Sequence, residues 1–307
     1  SKYKIDAISI GGQQHGMVAL DSDGKVIRKA LLWNDTRSDQ AADDLNREIP
    51  DIHMRTGSKL VASFTASKVR WLAEHEKTNA EKVAAIALPH DWLSWNLTGA
   101  QSLDTLFTDR SDASGTGYFD SNKNEYCNDI FATALRSDRE VKLPSIIAPH
   151  KFGGETKSGA MIAAGAGDNA GAALGLGASV GDLVISLGTS GTAFAVTSAS
   201  THDPSGEVAG FADATGNFLP LACTLNAAKI FNTVSSTLGI SFDEFSESAL
   251  AAPSGSEGLR VIPHFDRMLG WIPDIITRYL INTPPGVTLV GIDENTALVH
   301  TDAWRKF

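Results

Sequence analysis

The side chains best suited to acid–base chemistry lie in a run of small residues near the middle of the chain. Asp168 and Asn169 are the polar side chains of the stretch 165–171, in which every other residue is Gly or Ala. Because glycine has no Cβ, such a backbone can approach a ligand closely. A carboxylate within reach of a hydroxyl can accept its proton, and the neighbouring carboxamide can bind the same ligand. We therefore predict that Asp168 is an acid–base residue.

A second small-residue turn follows, between the strand-like runs 183–187 and 192–197. It consists of Gly188, Thr189, Ser190 and Gly191. The N–H and O–H groups of such a turn can bind an anion. A plain β-hairpin is the alternative interpretation. Because the turn follows Asp168 closely in the sequence, we favour a phosphate-binding turn beside the acid–base residue.

Two other interpretations of residues 165–171 stay open. The pattern Gly-x-Gly-x-x-x-Gly resembles a loosened dinucleotide-binding fingerprint. The preceding apolar run is rich in Ala, however, and no acidic residue ends a strand about 20 residues further on, where a ribose would need it. The glycines would also suit close packing of a helix on a sheet. A site in which Asp168 is the base remains the favoured hypothesis.

A third group of polar side chains follows the strand-like run 5–10. Gln14 and His15 lie there between glycines. A lone His is most often a residue whose hydrogen bonds are satisfied within the protein. A Gln–His pair at the end of a strand in an α/β chain favours a ligand-binding role instead.

The elements around these residues alternate between strand and helix patterns, which predicts an α/β architecture. The Asp23–Gly24 step predicts a hairpin between the strand-like runs 17–20 and 25–30. Residues 65–76 have the apolar spacing of an amphipathic helix. Residues 104–116 are polar and small, so we expect a loop there. A solvated loop is favoured over one that faces a ligand.

Composition limits the classes of function. The chain has 307 residues, enough for two domains, and 42% of them are hydrophobic. The formal net charge of -10 argues against nucleic acid or an anionic membrane as the main partner, although it leaves a nucleotide open. No apolar run approaches the about 20 residues that span a bilayer. The absence of a basic and apolar leader, with two widely separated cysteines, favours a cytoplasmic location.

Taken together, these motifs resemble the FGGY carbohydrate kinases, and most closely their xylulokinase group. Residues 63–75 fit the first FGGY signature at every defined position. The resemblance runs from about residue 5 to about residue 265. The other matching stretches are residues 12–16, 32–37, 88–93, 97–99, 108–116, 165–171 and 187–191.

The resemblance implies an actin-like, ribonuclease H-like fold with two α/β domains that close on a cleft. It also implies transfer of the γ-phosphoryl group of ATP, with Mg²⁺, to a sugar hydroxyl. Asp168 would be the general base for the C5 hydroxyl of D-xylulose. A small-molecule sugar and ATP would be the partners, and a homodimer stays open. Residues 1–178 would form the sugar-binding domain, and residues 179–266 would begin the ATP-binding domain.

By the same resemblance, the sugar would be held by Gln14, His15 and Asn169, with Trp33 and Asp35 in the substrate region. Gly188–Gly191 would bind the ATP phosphates. No metal ligand is identified, because the acid that the family links to Mg²⁺ would precede Ser1. We therefore expect a chain that is incomplete at both ends.

The stretch 267–307 departs from the family, and residues 285–299 are more similar to cyanophycinase-type serine peptidases. Their Gly-x-Ser-x-Gly nucleophile turn is not in these residues, so no peptidase function is inferred. Three alternative functions stay open for the whole chain. It could bind a pentulose without phosphorylating it, act on another sugar such as ribulose or gluconate, or be a dinucleotide-binding oxidoreductase.

Overall fold

The chain forms two compact units, and each combines strands with helices. The first unit comprises Ser1–Ala178 and Thr197–Pro220, and the second comprises Ser179–Val196 and Leu221–Phe307. The computed structural model describes residues 4–100, 102–188, 190–224, 227–253, 289–292, 297–300 and 304–306. The predicted α/β architecture is therefore confirmed for the described residues.

The elements are numbered in chain order. The strands are β1 (Ala7–Ile8), β2 (Gly11–Gly12), β3 (Val18–Leu20), β4 (Ala85–Ala87), β5 (Phe107–Asp109), β6 (Phe119–Asp120), β7 (Glu125–Tyr126), β8 (Ser145–Ile147), β9 (Phe152–Glu155), β10 (Met161–Ala163), β11 (Ala166–Gly167), β12 (Leu183–Leu187), β13 (Gly191–Ala195), β14 (Ala209–Ala212), β15 (Phe218–Thr224), β16 (Leu289–Ile292), β17 (Ala297–His300) and β18 (Trp304–Lys306). The helices are α1 (Asp39–Glu48), α2 (Ile52–Thr56), α3 (Thr65–His75), α4 (Lys77–Lys82), α5 (Pro89–Leu97), α6 (Arg110–Ser114), α7 (Asn128–Leu135), α8 (Asp168–Leu176), α9 (Ala228–Leu238) and α10 (Phe242–Ala251), with a 3₁₀ turn at Leu103–Thr105.

Parallel pairing at the start of the first unit positions the candidate site. Strand β1 pairs in parallel with β10, which pairs antiparallel with β9. The next pair in the chain, β2 and β11, is also parallel, with Gly12 opposite Gly167. Parallel strands point their carboxyl ends in the same direction. The residues after β2, Gln14 and His15, therefore lie on the same side as Asp168, which directly follows β11.

A buried antiparallel pair forms part of the core of the first unit. Strands β3 and β4 pair with Leu20 opposite Ala85, and every residue of both strands is buried. Their side chains pack with Trp95 of α5 and with Leu106. Removing this apolar surface from water stabilises the unit. The core thus holds α5, whose first turn carries His90, close to β5.

Helix α8 begins at Asp168 and ends at Leu176. Asp168 occupies the first turn, where the helix dipole favours a negative charge. Gly177 ends the helix with a φ of 67°, a left-handed conformation that glycine adopts without strain. The N-terminus of α8, with the Asp168 carboxylate, is consequently presented directly after the short strand β11.

The second unit contains the predicted hairpin of β12 and β13. These strands pair antiparallel, with Leu187 opposite Gly191 at the turn. Strand β13 also pairs antiparallel with the end of β15, and β12 pairs in parallel with β16. Strands β16, β17 and β18 then pair antiparallel in succession. Helix α10 starts with a capping box in which Ser241 and Glu244 satisfy each other's backbone N–H groups.

The polar stretch 104–116 differs from its prediction. It is not a loop: β5 and the short helix α6 occupy residues 107–114, and all of these are buried. The side chain of Asp109 accepts hydrogen bonds from the N–H groups of Ser111 and Asp112, so it caps α6. Buried polar residues that satisfy one another's hydrogen bonds have the same composition as a solvated loop, so the sequence does not distinguish the two.

Two further regions differ from the sequence prediction. Residues 25–30 form one isolated bridge, Val26 with Leu20, in place of a second strand. The segment Thr197–Pro220 lies in the first unit, although the sequence assigns residues 179–266 to one domain. Its Gly210 donates to the carbonyl of Gly57 at 2.9 Å, which ties it to the residues around α2.

The sequence of the tail predicts a helix at 271–280 and a strand at 287–292. The helix lies outside the described residues, while β16 covers the end of the predicted strand. The proposed boundary at residue 267 also lies outside the described residues. Among the helices that the structure describes, none is both long and apolar enough to cross a membrane.

Candidate active site

Asp168 has the surroundings of a base. Its Oδ1 atom accepts hydrogen bonds from the backbone N–H of Asn169 at 2.8 Å and from the Asn169 Nδ2 at 3.0 Å. The side chain reaches solvent, yet partial burial raises the pKa of Asp168, and the hydrogen bonds from Asn169 oppose this rise. A raised pKa makes the carboxylate a better proton acceptor.

Gln14 lies against the backbone that leads to Asp168. Its Nε2 donates to the carbonyl oxygen of Ser111 at 2.7 Å, and its side chain is buried. A Cβ on Gly167 would lie 2.7 Å from the Gln14 Cγ, which is too close for any side chain. Gly167 is therefore required for the contact between Gln14 and the residue before Asp168. The structure thus places Gln14 in contact with the residue that precedes Asp168.

His15 is held as a neutral imidazole. Its Nδ1 lies 2.6 Å from the carbonyl oxygen of Gly115, an acceptor, so Nδ1 carries the hydrogen and Nε2 keeps a lone pair. The ring packs between Phe64 and Phe211, with centroid distances of 4.7 and 5.4 Å. Burial lowers the pKa of His15 to about 4. The hydrogen bond to Gly115 opposes this shift, and the positive charge of Lys68 adds to it. Nε2 can thus accept a hydrogen bond from a hydroxyl at neutral pH.

The backbone of His15 is also unusual. Its φ is 70°, in the left-handed region that residues other than glycine rarely occupy. Such conformations persist where the surrounding structure holds them and are frequent at ligand sites. The contacts of the ring with Gly115 and the two phenylalanines hold this turn in place. The geometry supports the predicted binding role of His15.

Asp35 is an ionised carboxylate beside Arg37. Its Oδ1 accepts from the Arg37 Nε at 2.8 Å and from the Arg37 N–H at 3.1 Å. Burial acts to raise the pKa of Asp35, but the hydrogen bonds from Arg37 and the charge of Lys68 lower it overall. Trp33, two residues earlier, is 41% exposed, and its N–H lies 3.4 Å from the Gln13 Oε1. Its ring is therefore accessible to a ligand.

Lys68 connects the surroundings of Asp35 and His15. Its side chain is fully buried on α3, and its Nζ donates to the carbonyl oxygens of Ala62, at 3.1 Å, and of Ser63. Burial lowers the pKa of Lys68 to about 7, while the negative charge of Asp35 opposes this shift. The ammonium group acts on both predicted binding residues, since its charge lowers the pKa of each.

The small-residue turn in the second unit is stabilised by its own backbone. The N–H of Gly188 donates to the carbonyl of Ser190 at 2.9 Å, and the carbonyl of Gly188 accepts from the N–H of Ala228 at the start of α9. A Cβ on Gly191 would lie 2.9 Å from the Ala227 Cβ. Ser190 is exposed, whereas Thr189 lies outside the described residues. Only a residue without a side chain allows α9 to begin so close to the turn.

A buried ionic cluster lies beneath the turns of the first unit. The Nδ1 of His90 is 2.6 Å from Asp112 Oδ2 and 2.8 Å from Asp91 Oδ1. Its Nε2 is 3.3 Å from the carbonyl oxygen of Ala164 and 3.5 Å from Asp109 Oδ1. Both ring nitrogens therefore face oxygen acceptors, which only an imidazolium with two N–H groups can satisfy. Burial lowers the pKa of His90, but the charges of Asp112 and Asp91 raise it well above its usual value.

Three of these side chains, His90, Asp91 and Asp112, are the group among the described residues that could hold a metal ion. Their ligand atoms lie within 4.8 Å of one another. Tetrahedral ligands about 2.1 Å from a metal are separated by about 3.4 Å. The 2.6 and 2.8 Å separations at Nδ1 are shorter, as in direct ion pairs. The angles are not those of ideal hydrogen bonds, because one N–H cannot point at two carboxylates. We interpret the cluster as a cation compensated by its carboxylates.

Sequence reasoning misses the buried residues that support the site: Lys68, His90, Asp109, Ser111 and Asp112. They belong to stretches that resemble the family, but the sequence alone assigns them no role. The sequence feature that could have identified some of them is the alternation of Asp and Ser around residue 110. Charged residues are buried only when they have partners, so such a polar stretch can form a buried network. Two aspartates three residues apart would, if buried, require a cationic partner elsewhere in the chain.

Comparison with known proteins gives a consistent result. The family model "FGGY family of carbohydrate kinases, N-terminal domain" matches residues 1–177. The xylulose kinase of Streptomyces coelicolor is 46% identical over 245 residues, which cover 76% of this chain and 50% of that protein. The xylulose kinase of Streptomyces rubiginosus is 45% identical over 249 residues, or 78% of this chain and 50% of that protein. The chain thus spans about half the length of these relatives.

A solved structure extends the likeness to the fold. The crystal structure of xylulose kinase from Bifidobacterium adolescentis superposes with a TM-score of 0.78 at 41% identity. The match covers 85% of this chain and 61% of the other. The predicted sugar kinase fold is thereby confirmed.

Proposed function

The chain belongs to the FGGY family of carbohydrate kinases, and from that premise we propose that it serves the ATP-dependent phosphorylation of a ketopentose, D-xylulose, to D-xylulose 5-phosphate. The observation that carries the proposal is the pairing of β2 with β11, which places Gln14 against the residue that precedes Asp168. The xylulose kinases that are 46% and 45% identical support the choice of sugar.

In this reaction Asp168 would accept the proton of the attacking C5 hydroxyl. Its raised pKa suits that transfer, which contributes about 10²- to 10⁴-fold to a rate. Asn169, whose Nδ2 donates to Asp168 at 3.0 Å, would orient the carboxylate and contact the sugar. Orientation of the hydroxyl toward the phosphorus supplies a further large part of the rate enhancement, because phosphoryl transfer depends mainly on positioning and charge stabilisation.

The sugar would be recognised by groups with different hydrogen-bonding roles. His15 Nε2 accepts a hydrogen bond, the carboxylate of Asp35 accepts two or more, and the amide of Gln14 can do both. Trp33 offers an exposed ring for the apolar face of the sugar. A polyol presents both donors and acceptors, so this mixture matches its chemistry better than a set of one kind.

The nucleotide would be bound through its phosphates by the turn in the second unit. The residues proposed for this are Gly188, Thr189, Ser190 and Gly191. Small residues and the start of α9 fit a phosphate, because backbone N–H groups near a helix N-terminus attract anions. Mg²⁺ would enter with ATP, since it is held largely by substrate phosphates, and would neutralise their charge. We also propose a cytoplasmic location, with a homodimer as an open assembly.

The experiment compares sugar-dependent ADP formation by the protein and by two variants. Asp168→Asn should lower kcat by about 10²- to 10⁴-fold with a smaller effect on the KM for D-xylulose. Asp43→Asn replaces an exposed carboxylate of α1 and serves as the matched control, with an unchanged rate. Equal rates for the Asp168 variant and the protein would overturn the role of Asp168.

The alternatives are distinguished in the same preparation. Calorimetric titration with D-xylulose and with ATP separately reports binding without turnover. Sugar binding with no phosphorylation would identify a non-catalytic sugar-binding protein. A panel of D-xylulose, D-ribulose, gluconate and glycerol ranks the substrates by kcat/KM. Tight binding of NADH would instead favour a dinucleotide-dependent oxidoreductase.

A further inference from the structure

We propose that Ser111 is the positioning residue that keeps Asp168 and Gln14 in register, and that His90 supports it through Asp109. This inference rests on the proposed roles of Asp168 and Gln14 in the kinase reaction. None of the three supporting side chains needs to contact a substrate. Ser111, Asp109 and His90 lie behind the site and are buried.

Ser111 binds both sides of the site at once. Its Oγ accepts the N–H of Gly167, the residue before Asp168, at 3.0 Å. Its carbonyl oxygen accepts from the Gln14 Nε2 at 2.7 Å. Two polar atoms of one fully buried residue, the hydroxyl oxygen and the carbonyl oxygen, thereby connect the end of β11 to the turn after β2. A movement of Ser111 would change the distance between Gln14 and Asp168.

Asp109 fixes the direction of the Ser111 hydroxyl. Its Oδ2 accepts the backbone N–H of Ser111 at 2.7 Å and also the hydroxyl hydrogen of Ser111 in a short contact. A hydroxyl has one hydrogen to donate. Since that hydrogen is used by Asp109, the lone pairs of Oγ are available to the N–H of Gly167. The bond to Gly167 therefore has a defined direction, which an isolated serine would not give.

The positive charge of His90 favours the ionised form of Asp109, which accepts both hydrogen bonds from Ser111. Its Nε2 lies 3.5 Å from Asp109 Oδ1, and its positive charge opposes the rise in the pKa of Asp109 that burial causes. An ionised Asp109 accepts hydrogen bonds at both oxygens, whereas a protonated one would compete as a donor.

The ring of His90 also fills the space beneath the two turns. A Cβ on Gly12 would lie 2.7 Å from the His90 Cβ, and a Cβ on Gly165 would lie 2.6 Å from its Nε2. Gly12 is the last residue of β2, and Gly165 directly precedes β11. The ring therefore supports the backbone on both sides of the site, as well as carrying the charge that acts on Asp109.

The test compares two serines of the same helix. Ser111→Ala removes the acceptor of the Gly167 N–H, while Ser114→Ala removes the acceptor of the Ala212 N–H at 3.0 Å. Both serines are buried on α6, and both hydroxyls make two hydrogen bonds, so the variants should lose similar stability. The Ser114 hydroxyl donates at 2.6 Å to the Ser111 carbonyl oxygen, which also accepts from Gln14, but Ser114→Ala leaves the bonds of Ser111 to Gln14 and Gly167 in place. The variants therefore differ in whether the bond to the residue before Asp168 is lost.

Two measurements separate the inference from the proposed function. Hydrogen exchange of the Gly167 amide, followed by NMR, needs no substrate. It should become faster by at least about 10-fold in Ser111→Ala and stay unchanged in Ser114→Ala. Kinetics should show kcat lower by about 10- to 100-fold in Ser111→Ala, because small displacements from the reactive geometry are costly, and a near-normal kcat in Ser114→Ala.

The outcomes are distinguishable. Equal kcat and equal exchange in the two serine variants would overturn the inference. Normal kcat in Ser111→Ala with fast exchange would show that the bond exists but does not position the reaction, which also overturns it. A fully active Asp168→Asn variant would instead overturn the proposed function and leave the exchange result standing.

Discussion

The Nδ1 of His90 lies 2.6 Å from the Oδ2 of Asp112, and both side chains are withdrawn from solvent. This pair is the closest contact in a cluster where one cation meets the carboxylates of Asp91, Asp109 and Asp112. The pKa of Asp112 is raised to about 7 by burial, although the charge of His90 lowers it. The free energy of the cluster therefore depends on the charge of His90.

Replacement of His90 by Gln should destabilise the first unit strongly at pH 7. The variant keeps a polar side chain of similar size but leaves the carboxylates without a cation. Removing one partner of a buried ion pair lowers the free energy of unfolding by about 3–5 kcal/mol. His75→Gln, at an exposed position of α3, is the matched control and should cost little. Urea denaturation measures both.

The decrease in the free energy of unfolding caused by His90→Gln should also depend on pH. His90 has a raised pKa, so its stabilising contribution is complete below the unfolded value of about 6.5 and is lost only as pH rises through the folded pKa. His90→Gln removes this contribution, so the deficit against the unmodified protein should be complete at pH 5 and should become smaller as pH rises above about 6.5 through the folded pKa of His90. A deficit that does not change with pH would contradict the ionic interpretation.

Gly165 and Gly175 should respond in opposite directions to replacement by Ala. Gly165 has a φ of 84°, and a Cβ there would lie 2.6 Å from both the His90 Nε2 and the Ile10 carbonyl oxygen. We expect Gly165→Ala to lower the free energy of unfolding by about 1–3 kcal/mol. Gly175 lies in α8, and a Cβ there would have no neighbour within 4 Å, so Gly175→Ala should raise it by about 0.5–1 kcal/mol. Thermal unfolding of both variants tests the pair.

Much of the fold follows from local pattern. The apolar spacing predicts a helix at 65–76, and α3 is observed at Thr65–His75, because its local pattern and its packing agree. The prediction of a loop at 104–116 is wrong because the polar residues there are satisfied by partners distant in sequence. Arg110, for example, donates to the carbonyl of Asn217 at 2.6 Å. Local composition carries no information on such partners, so burial cannot be inferred from it.

The candidate site, too, is predicted only in part by the local sequence. Residue type and flanking glycines predict Asp168 and Gln14, but their neighbourhood depends on the register of β2 with β11. Strands of two residues are too short to show a periodic pattern. Ser111, which connects these residues, has no distinguishing feature in the sequence. Its position becomes informative only when the N–H of Gly167 is seen to point at it.

His15 should bind the sugar with little dependence on pH between 5 and 8. Its pKa is lowered to about 4, so the imidazole stays neutral through this range. Replacing it with Phe should weaken D-xylulose binding by about 10-fold or more, since an accepting nitrogen is lost. Calorimetric titrations at pH 5, 6.5 and 8 measure the affinity. A change in affinity with a midpoint near 6.5 that disappears in His15→Phe would contradict the low pKa.

Lys68 should be one cause of that low pKa. His15 titrates near pH 4, well below the pKa of about 7 of Lys68, so the ammonium is fully charged while His15 gains its proton. Lys68→Met removes this repulsion and should raise the pKa of His15. The value should remain below 6.5, because burial is the largest cause of the shift and is retained.

The measurement for Lys68→Met is the NMR titration of the His15 ring protons. Lys77→Met replaces an exposed lysine at the start of α4 and is the matched control, with no expected change. Asp35 provides a second readout, because the charge of Lys68 also lowers its pKa, which should rise in the variant. Unchanged values for both His15 and Asp35 would show that Lys68 does not act on the site. A rise at Asp35 alone would place its influence on the carboxylate and leave the low pKa of His15 to burial.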